Sequence, residues 1–510
     1  MTGGHLFIVD GDITSITCDA WLVPSDQRLK VTSHFAKQVG LPTTGHLQIA
    51  GWSGWSDQGM FLLREGSDGE PSIWLGDIGR PGNAPISHFG NRADSFVHLA
   101  SQHARSHRSD LSRRPLLALP VLGSDAGGMR ARRGELLEEL ITRCASSAHQ
   151  AGADVVLVCF GQVMTSAAQI VRSRLMRQDE NFRSISGWND LEQNLWEEAE
   201  RLGQLAEQGE LVVFLGAGTS IDAGIPGWDD LLKGVAKEAG LDEAWEELSD
   251  FDARDKATII ERKLGARFAS IVSEHTDVAR YGLIHGLLAT LPTKEHVTTN
   301  FDVLFEKAAS TAGRHLAVIP GDEVRLGERW LLKLHGTLGG DLVFTRSEYL
   351  ASVSAHSALR GIVQAMLLTR HMLFVGYSLR DEDFHQLVHE VRSALGQNAR
   401  NFGTALFVSA NEHTSTLWPE IQIVTTGAGA EAGRRVSLFL DMVASHAASE
   451  IAFIADPSFR ELRNDHEDRL QQIVSDLHAL HRDAHGDRTG ESDPWPEVTA
   501  FLKHFRRHGD

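Results

Sequence analysis

The chain has 510 residues, a formal net charge of −19, and 42% hydrophobic and 23% charged residues. That length exceeds one ordinary core, so two or three domains are expected, and the acidic balance argues against a general nucleic-acid binder, which needs basic stripes to meet phosphates. No apolar run approaches the roughly twenty residues of a membrane span. The start, MTGGHLFIVDGD, lacks the basic opening and long apolar core of a secretion signal. Three cysteines, Cys18, Cys144 and Cys159, supply neither a disulfide framework nor a Cys-x-x-Cys zinc site. A reducing, cytoplasmic home is therefore expected, with no membrane and no direct nucleic-acid partner.

Residues 1–178 alternate strand and helix signals. LFIV (6–9) is a strand that leads to Gly11-Asp12-Ile13-Thr14, and DAWLV (19–23) is a second that ends at Pro24-Ser25-Asp26. LLALPVL (116–122) runs into Gly123-Ser124-Asp125-Ala126-Gly127-Gly128, a helix with Leu136, Leu137, Leu140 and Ile141 comes next, and ADVVLVCF (153–160) is another buried strand. A glycine-rich loop between strand and helix is a potential phosphate seat, because glycine lets backbone N–H groups come close to an anion. Arg130-Ala131-Arg132-Arg133 reads as a solvated helix start.

Residues 179–445 form the expected second domain. Its polar opening holds Leu191, Leu195, Ala199 and Leu202 at helical spacing. The stretch ELVVFLGAGTSIDAGIPGW (210–228) then places a short continuous apolar run against glycines. Such a run reads as a strand buried on both faces of a parallel sheet. The turn after it fits a phosphate or pyrophosphate cradle, and it equally fits an ordinary strand-to-helix turn. A dehydrogenase-type G-x-G-x-x-G would need glycine where Ile221 stands, and a P-loop needs a Gly-Lys pair that the chain lacks. Three later strands end in polar groups: HVTT (296–299) before Asn300-Phe301-Asp302, WLLKL (330–334) before His335-Gly336, and MLFV (372–375) before Gly376-Tyr377-Ser378. In an open parallel sheet the ligand sits beyond the carboxyl ends of the strands. Taken singly, Asn300 and Asp302 are also ordinary helix-capping residues. Residues 446–510 read as a helical tail with Leu470, Ile473, Leu477 and Leu480 in one stripe, packed against the second domain, then a gap (486–494) and a short terminal helix.

These motifs carry two resemblances. GDIT, DAWLVPSD and LPVLGSDAGG make the first region similar to the macro domain, a fold that binds ADP-ribose. That likeness implies Asp12 against the adenine and Gly123, Gly127 and Gly128 around the phosphates of an ADP-ribose-like ligand. Where many macro domains carry an asparagine-rich segment, this chain has Pro24-Ser25-Asp26. GAGTSIDAGIPGW, TTNFD, KLHG and FVGYS, in that order, resemble the sirtuin-like NAD-consuming domains. The implied fold is α/β: a Rossmann-like parallel sheet preceded by the macro-like α/β domain, with a helical C-terminal tail.

The sirtuin likeness implies that Gly216, Ala217, Gly218 and Ser220 hold the pyrophosphate of NAD+, and that Asn300 and Asp302 meet the nicotinamide ribose and carboxamide. His335 would be the catalytic base, with Asn300 as its catalytic companion, and Gly376 and Ser378 would sit by the adenosine half. Protein deacylases of this family carry a four-cysteine zinc module after His-Gly, whereas residues 160–510 hold no cysteine, so no metal is expected. The run Gly376-Tyr377-Ser378-Leu379-Arg380-Asp381-Glu382-Asp383-Phe384 resembles the bacterial antiphage branch that includes the NAD hydrolase effector of the Thoeris system. The activity implied is NAD+ hydrolysis, conditional on an ADP-ribose-like signal, a phage or defence protein partner, or homo-oligomeric assembly. A protein deacylase or ADP-ribosyltransferase, and a non-catalytic ADP-ribose/NAD sensor, remain the alternatives.

Overall fold

In a computed structural model of the chain, the residues described are 3–42, 47, 52–67, 69–80, 82, 84–107, 113–124, 127–338, 342–355, 357–396, 401–449, 451–454, 456–463 and 465–485. Asp125 and Ala126 of the first glycine-rich loop, His356, and the expected gap and terminal helix after 485 lie outside them. The chain divides into two compact units, one of residues 1–14, 18–190 and 448–510, the other of residues 15–17 and 191–447.

The first unit is built on six strands, β1 (Leu6–Asp10), β2 (Ala20–Ser25), β3 (Met60–Arg64), β4 (Ser72–Asp77), β5 (Leu116–Pro120) and β6 (Asp154–Cys159). Their order across the sheet is β1-β6-β5-β2-β4-β3, parallel except for β3 at one edge. β1 and β6 are buried along their whole length, which is why they read as unbroken apolar runs. Helices Ile86–His107 and Arg133–Ala151 bury one face each and helix Gln162–Gln178 is buried all round from Met164 to Arg172, with Phe89, Phe96, Leu136, Leu140 and Ala168 in the shared core. Phe453, Phe459 and Leu462 belong to this same core. The tail therefore packs on the first unit, not on the second as its sequence suggested. The expected stripe packs only in part: Leu470 and Leu477 of helix Asp465–His485 are half-buried, Ile473 and Leu480 are exposed, and Val474 is buried. A solvated stripe and a buried one look alike in sequence.

The second unit has seven parallel strands, β7 (Leu211–Leu215), β8 (Glu295–Thr298), β9 (Leu316–Ile319), β10 (Arg329–Lys333), β11 (His371–Val375), β12 (Gly403–Phe407) and β13 (Ile421–Thr425). They lie in the order β13-β12-β11-β7-β8-β10-β9. The chain moves from β7 to β8 on one side and later returns to β11 on the other. This reversal beside β7 opens a crevice at the carboxyl ends of the two neighbours, the usual ligand position in such sheets. Between β7 and β8 the helices Trp228–Glu238, Ala253–Leu264 and Phe268–Thr276 form a small core of their own, into which Phe301 and Phe344 insert. No described helix is long and apolar enough to cross a membrane.

Three histidines of this unit are held neutral. Burial lowers the pKa of His296 to about 3, that of His285 to about 4 and that of His371 to about 4. His296 is bonded to Thr293 Oγ1 at 2.9 Å and to the Trp330 carbonyl at 3.0 Å. In the unfolded chain each would take a proton near its ordinary pKa of roughly 6.5. Below that pH the unfolded state binds more protons than the folded one, so stability falls as pH drops toward 4. The melting temperature should decline steadily from pH 7 to pH 5, and His296→Gln should make the decline shallower. A flat profile over that range would contradict the burial of neutral histidines.

Candidate active site

The apolar run of β7 stops at Gly216 because the next residues must pass very close to another loop. A Cβ on Gly216 would lie 2.5 Å from the Gly376 carbonyl oxygen, and one on Gly218 would lie 2.8 Å from Gly376 Cα. Gly376, just past β11, has φ +63, and a Cβ there would lie 2.4 Å from the Thr219 nitrogen. Only glycine fits these contacts. Gly216 N–H donates to the Val375 carbonyl and Gly218 N–H to the Gly376 carbonyl, each at 2.9 Å. These two N–H groups therefore tie the β7 and β11 loops together. Gly216 leads into a 3-10 turn, Ala217–Ala223, in which Ala217 is exposed and Ser220 buried. Ser378, beyond Gly376, is exposed. Leu379 next to it is a non-glycine residue at φ +58, a costly conformation held in place because its side chain is buried.

Past β8, Asn300 is buried, and its Nδ2 donates to the Gly216 carbonyl at 3.1 Å. A carbonyl can only accept, so this bond settles which end of the amide faces β7. Asn300 Oδ1 is buried with no hydrogen-bond partner among the described residues. Asp302 uses both oxygens: Oδ1 takes the Leu304 N–H at 3.0 Å, at the first residue of helix Leu304–Thr311, and Oδ2 takes the Ser220 hydroxyl at 2.8 Å. The N-cap position of that helix is Val303. Two residues that sequence alone did not single out hold this corner. Lys333, at the end of β10, is buried, donates to the Asp302 and Phe301 carbonyls at 2.5 and 3.3 Å, and pairs with Glu306 at 2.8 Å. His285, on helix Leu283–Thr290, places Nε2 3.5 Å from Ser220 Oγ.

His335 lies just past β10 and is buried. Its Nδ1 lies 3.3 Å from the Tyr349 hydroxyl, and its Nε2 lies 3.4 Å from Asp381 and 4.0 Å from Asp383. Arg254, at the start of helix Ala253–Leu264, stacks over the Tyr349 ring at 3.7 Å and donates to Asp381 at 3.2 Å and Glu382 at 2.6 Å. Burial, followed by the charge of Asp381, pushes the Tyr349 hydroxyl well above its ordinary range, so it stays protonated. Asp381 and Asp383 stand within the run that carries the antiphage likeness, but no spacing rule pairs them with a histidine so far away in sequence. His335, Asp381 and Asp383 could share one cation, as could Glu65, His103 and His107 of the first unit. Around His335, however, Arg254 and Arg360 already supply positive charge to the two carboxylates.

In the first unit Asp12 comes after β1 and Gly123, Gly127 and Gly128 come after β5, the strands on either side of β6. Asp12 accepts from Thr14 N–H and hydroxyl at 2.9 and 2.8 Å and lies 3.0 Å from His34. A Cβ on Gly127 would meet Gly123 Cα at 2.4 Å, so the loop folds back on itself. Phe160, immediately after β6, is 77% exposed at the same edge.

The SIR2-like domain family matches residues 294–425. NAD(+) hydrolase ThsA of Cytobacillus dafuensis is 28% identical over 202 residues, covering 37% of this chain and 39% of its own length. NAD(+) hydrolase ThsA of Enterococcus faecium is 26% identical over 216 residues, 39% of this chain and 44% of its own. Defense-associated sirtuin 2 of Bacillus subtilis is 26% identical over 212 residues, 40% of this chain and 21% of its own. The chain thus spans less than half the length of each of these relatives. With the parallel sheet and the order GAGTS, TTNFD, KLHG, FVGYS, these matches make the second unit similar to a SIR2-like domain, matched over residues 294–425, and to parts of two bacterial NAD(+) hydrolases and of a defence-associated sirtuin.

Proposed function

We propose that the second unit hydrolyses NAD+, cleaving the bond between nicotinamide and ribose to give nicotinamide and ADP-ribose, and that the protein depletes NAD+ in bacterial antiphage defence. The observation that carries this reading is one row of four neighbouring strands. β11, β7, β8 and β10 end, side by side, in Gly376, Gly216–Ser220, Asn300–Asp302 and His335. The names of the ThsA relatives point the same way.

In this reading Gly216, Ala217, Gly218 and Ser220 flank the pyrophosphate. Ser378 and Gly376 flank the adenosine half, and Asp302 meets the nicotinamide ribose. The leaving nicotinamide already carries positive charge, so the transition state resembles an oxocarbenium ion, and the site must exclude bulk water and stabilise that cation. Asn300 Oδ1, an acceptor with no partner among the described residues, can hold a ribose hydroxyl or a water. His335 can take a proton, and the carboxylates beside its Nε2 favour the charged ring that results. The lack of cysteine in residues 160–510 removes the zinc module of protein deacylases and favours water as the acceptor.

Purified full-length protein given NAD+ alone should release nicotinamide. Asn300→Ala and His335→Ala should each cut release by about a hundredfold or more, with little change in melting temperature. Release that appears only when an acylated peptide is added would favour the deacylase, and wild-type turnover in either variant would sink the site assignment.

For the first unit we propose an ADP-ribose-like ligand at the edge marked by Asp12, Gly123, Gly127 and Gly128, whose binding sets how fast nicotinamide is released. The exposed ring of Phe160 at that edge favours a ligand with a flat base. A ligand changes activity only through its different affinity for the active and inactive states. Calorimetry of the full chain with ADP-ribose should show binding that Asp12→Ala weakens at least tenfold, by the loss of about one charge-assisted hydrogen bond. No heat with ADP-ribose, at concentrations that saturate known binders of it, would remove this assignment.

A further inference from the structure

Beside His335 lies a pocket of about 20 Å3, enough for one water molecule, and its role rests on the hydrolase reading of this site. Its polar lining is His335, Thr299, Arg360, Tyr377, Asp381 and Asp383. Tyr377 brings a buried hydroxyl with no hydrogen-bond partner among the described residues, and Arg360 places one terminal nitrogen 3.5 Å from Asp383 and the other 3.8 Å from Glu390. Buried polar atoms are nearly always paired, through ordered water where no protein group reaches them. One orphaned hydroxyl and two carboxylates around a water-sized space provide the two to four partners that a fixed water needs.

The two carboxylates differ. Asp381 is held on several sides: Oδ1 accepts the Asp383 N–H at 2.9 Å, capping helix Glu382–Leu395, and Arg254 at 3.2 Å, while Oδ2 faces His335 Nε2 at 3.4 Å. Asp383 is held loosely, with Arg360 at 3.5 Å from Oδ1 and His335 Nε2 at 4.0 Å from Oδ2. Burial, then the charge of Asp381, raises the Asp383 pKa against the opposing pull of His335, Arg254 and Arg360. A pair of carboxylates set apart in this way divides into a fixed group and a proton acceptor.

We propose that this pocket seats the water that attacks the ribose, and that Asp383 is the general base that takes its proton. The water oxygen bonds to C1′ of the nicotinamide ribose as the C1′–N bond breaks. The bonding pair leaves with nicotinamide and neutralises its ring. The proton released by the water passes to the Asp383 carboxylate and then to solvent. Asp381, fixed by Arg254, is a positioning residue that orients His335. The same device would account for a sirtuin-like site that needs no acyl-lysine: the base stands in the first turn of helix Glu382–Leu395, beside the pocket that holds the acceptor.

The test is nicotinamide release from NAD+ by the full-length chain, with and without sodium azide, an anion that attacks carbon without giving up a proton. Asp383→Asn should lower kcat about a hundredfold or more with KM within roughly threefold of wild type. Azide should restore release in this variant and yield azido-ADP-ribose. Asp383→Glu, which keeps a base, should retain at least about a tenth of the wild-type rate. Asp383→Asn turnover near wild type overturns the proposal, as does a loss that azide fails to restore while Asp383→Glu is equally dead. Wild-type protein that releases no nicotinamide overturns the hydrolase reading itself and this assignment with it.

Discussion

Three glycines hold the second unit's crevice together. Gly216, Gly218 and Gly376 bring the loops after β7 and β11 to a separation at which any Cβ would collide with backbone. The Gly216 carbonyl, which takes the Thr219 N–H and hydroxyl at 3.0 and 2.8 Å, also accepts the Asn300 amide. The Asn300 amide is turned by that carbonyl, and Ser220 on the same turn takes hold of Asp302. From β10, Lys333 fastens the carbonyls of Phe301 and Asp302. One steric constraint at a strand end thus sets the position of the polar groups on the strand beside it.

The other half of the site depends on charge. His335 meets a hydroxyl on one nitrogen and carboxylates on the other, and those carboxylates are in turn met by Arg254 and Arg360. Arg254 comes from the helical insert between β7 and β8, and its guanidinium is stacked on the ring whose hydroxyl reaches His335. The insert is therefore more than cover for the sheet end: it contributes to the field around the histidine. Fixed opposite charges in a partly dry site are stronger than the same charges in water. They suit the proposed reaction, in which positive charge passes from the nicotinamide ring to the ribose as the bond between them breaks.

Much of this was legible in sequence, for identifiable reasons. LVVFL and MLFV are short unbroken apolar runs, the mark of strands buried on both faces, HVT and WLLK mix apolar and polar residues, and each of the four leads into residues with chemistry. β3, β4, β9, β12 and β13 were not picked out. MFLLR, LAVI and IQIVT are partly exposed, and in SIWLGD and GTALF the apolar run is only three residues long. The glycine loop was found, but its backbone donors were expected to be free, and only the neighbouring strand shows that Gly216 and Gly218 spend theirs on Val375 and Gly376. Asp381, Asp383, Arg254 and His285 could not be paired with their partners from spacing, because long-range contacts leave no one-dimensional period. The tail after 447 misled for the reason that a narrow apolar stripe does not say which core it joins.

On this reading the sheet end transfers ADP-ribose from nicotinamide to water and to nothing else. A product balance separates that outcome from its rivals: NAD+ consumed, nicotinamide, free ADP-ribose and ADP-ribosylated protein, measured together on the full-length chain with no other substrate present. One nicotinamide and one free ADP-ribose should appear for each NAD+ lost, with no label on protein. Nicotinamide released while the ADP-ribose remains on protein, or NAD+ left intact until an acylated peptide is supplied, would contradict the assignment of water as acceptor.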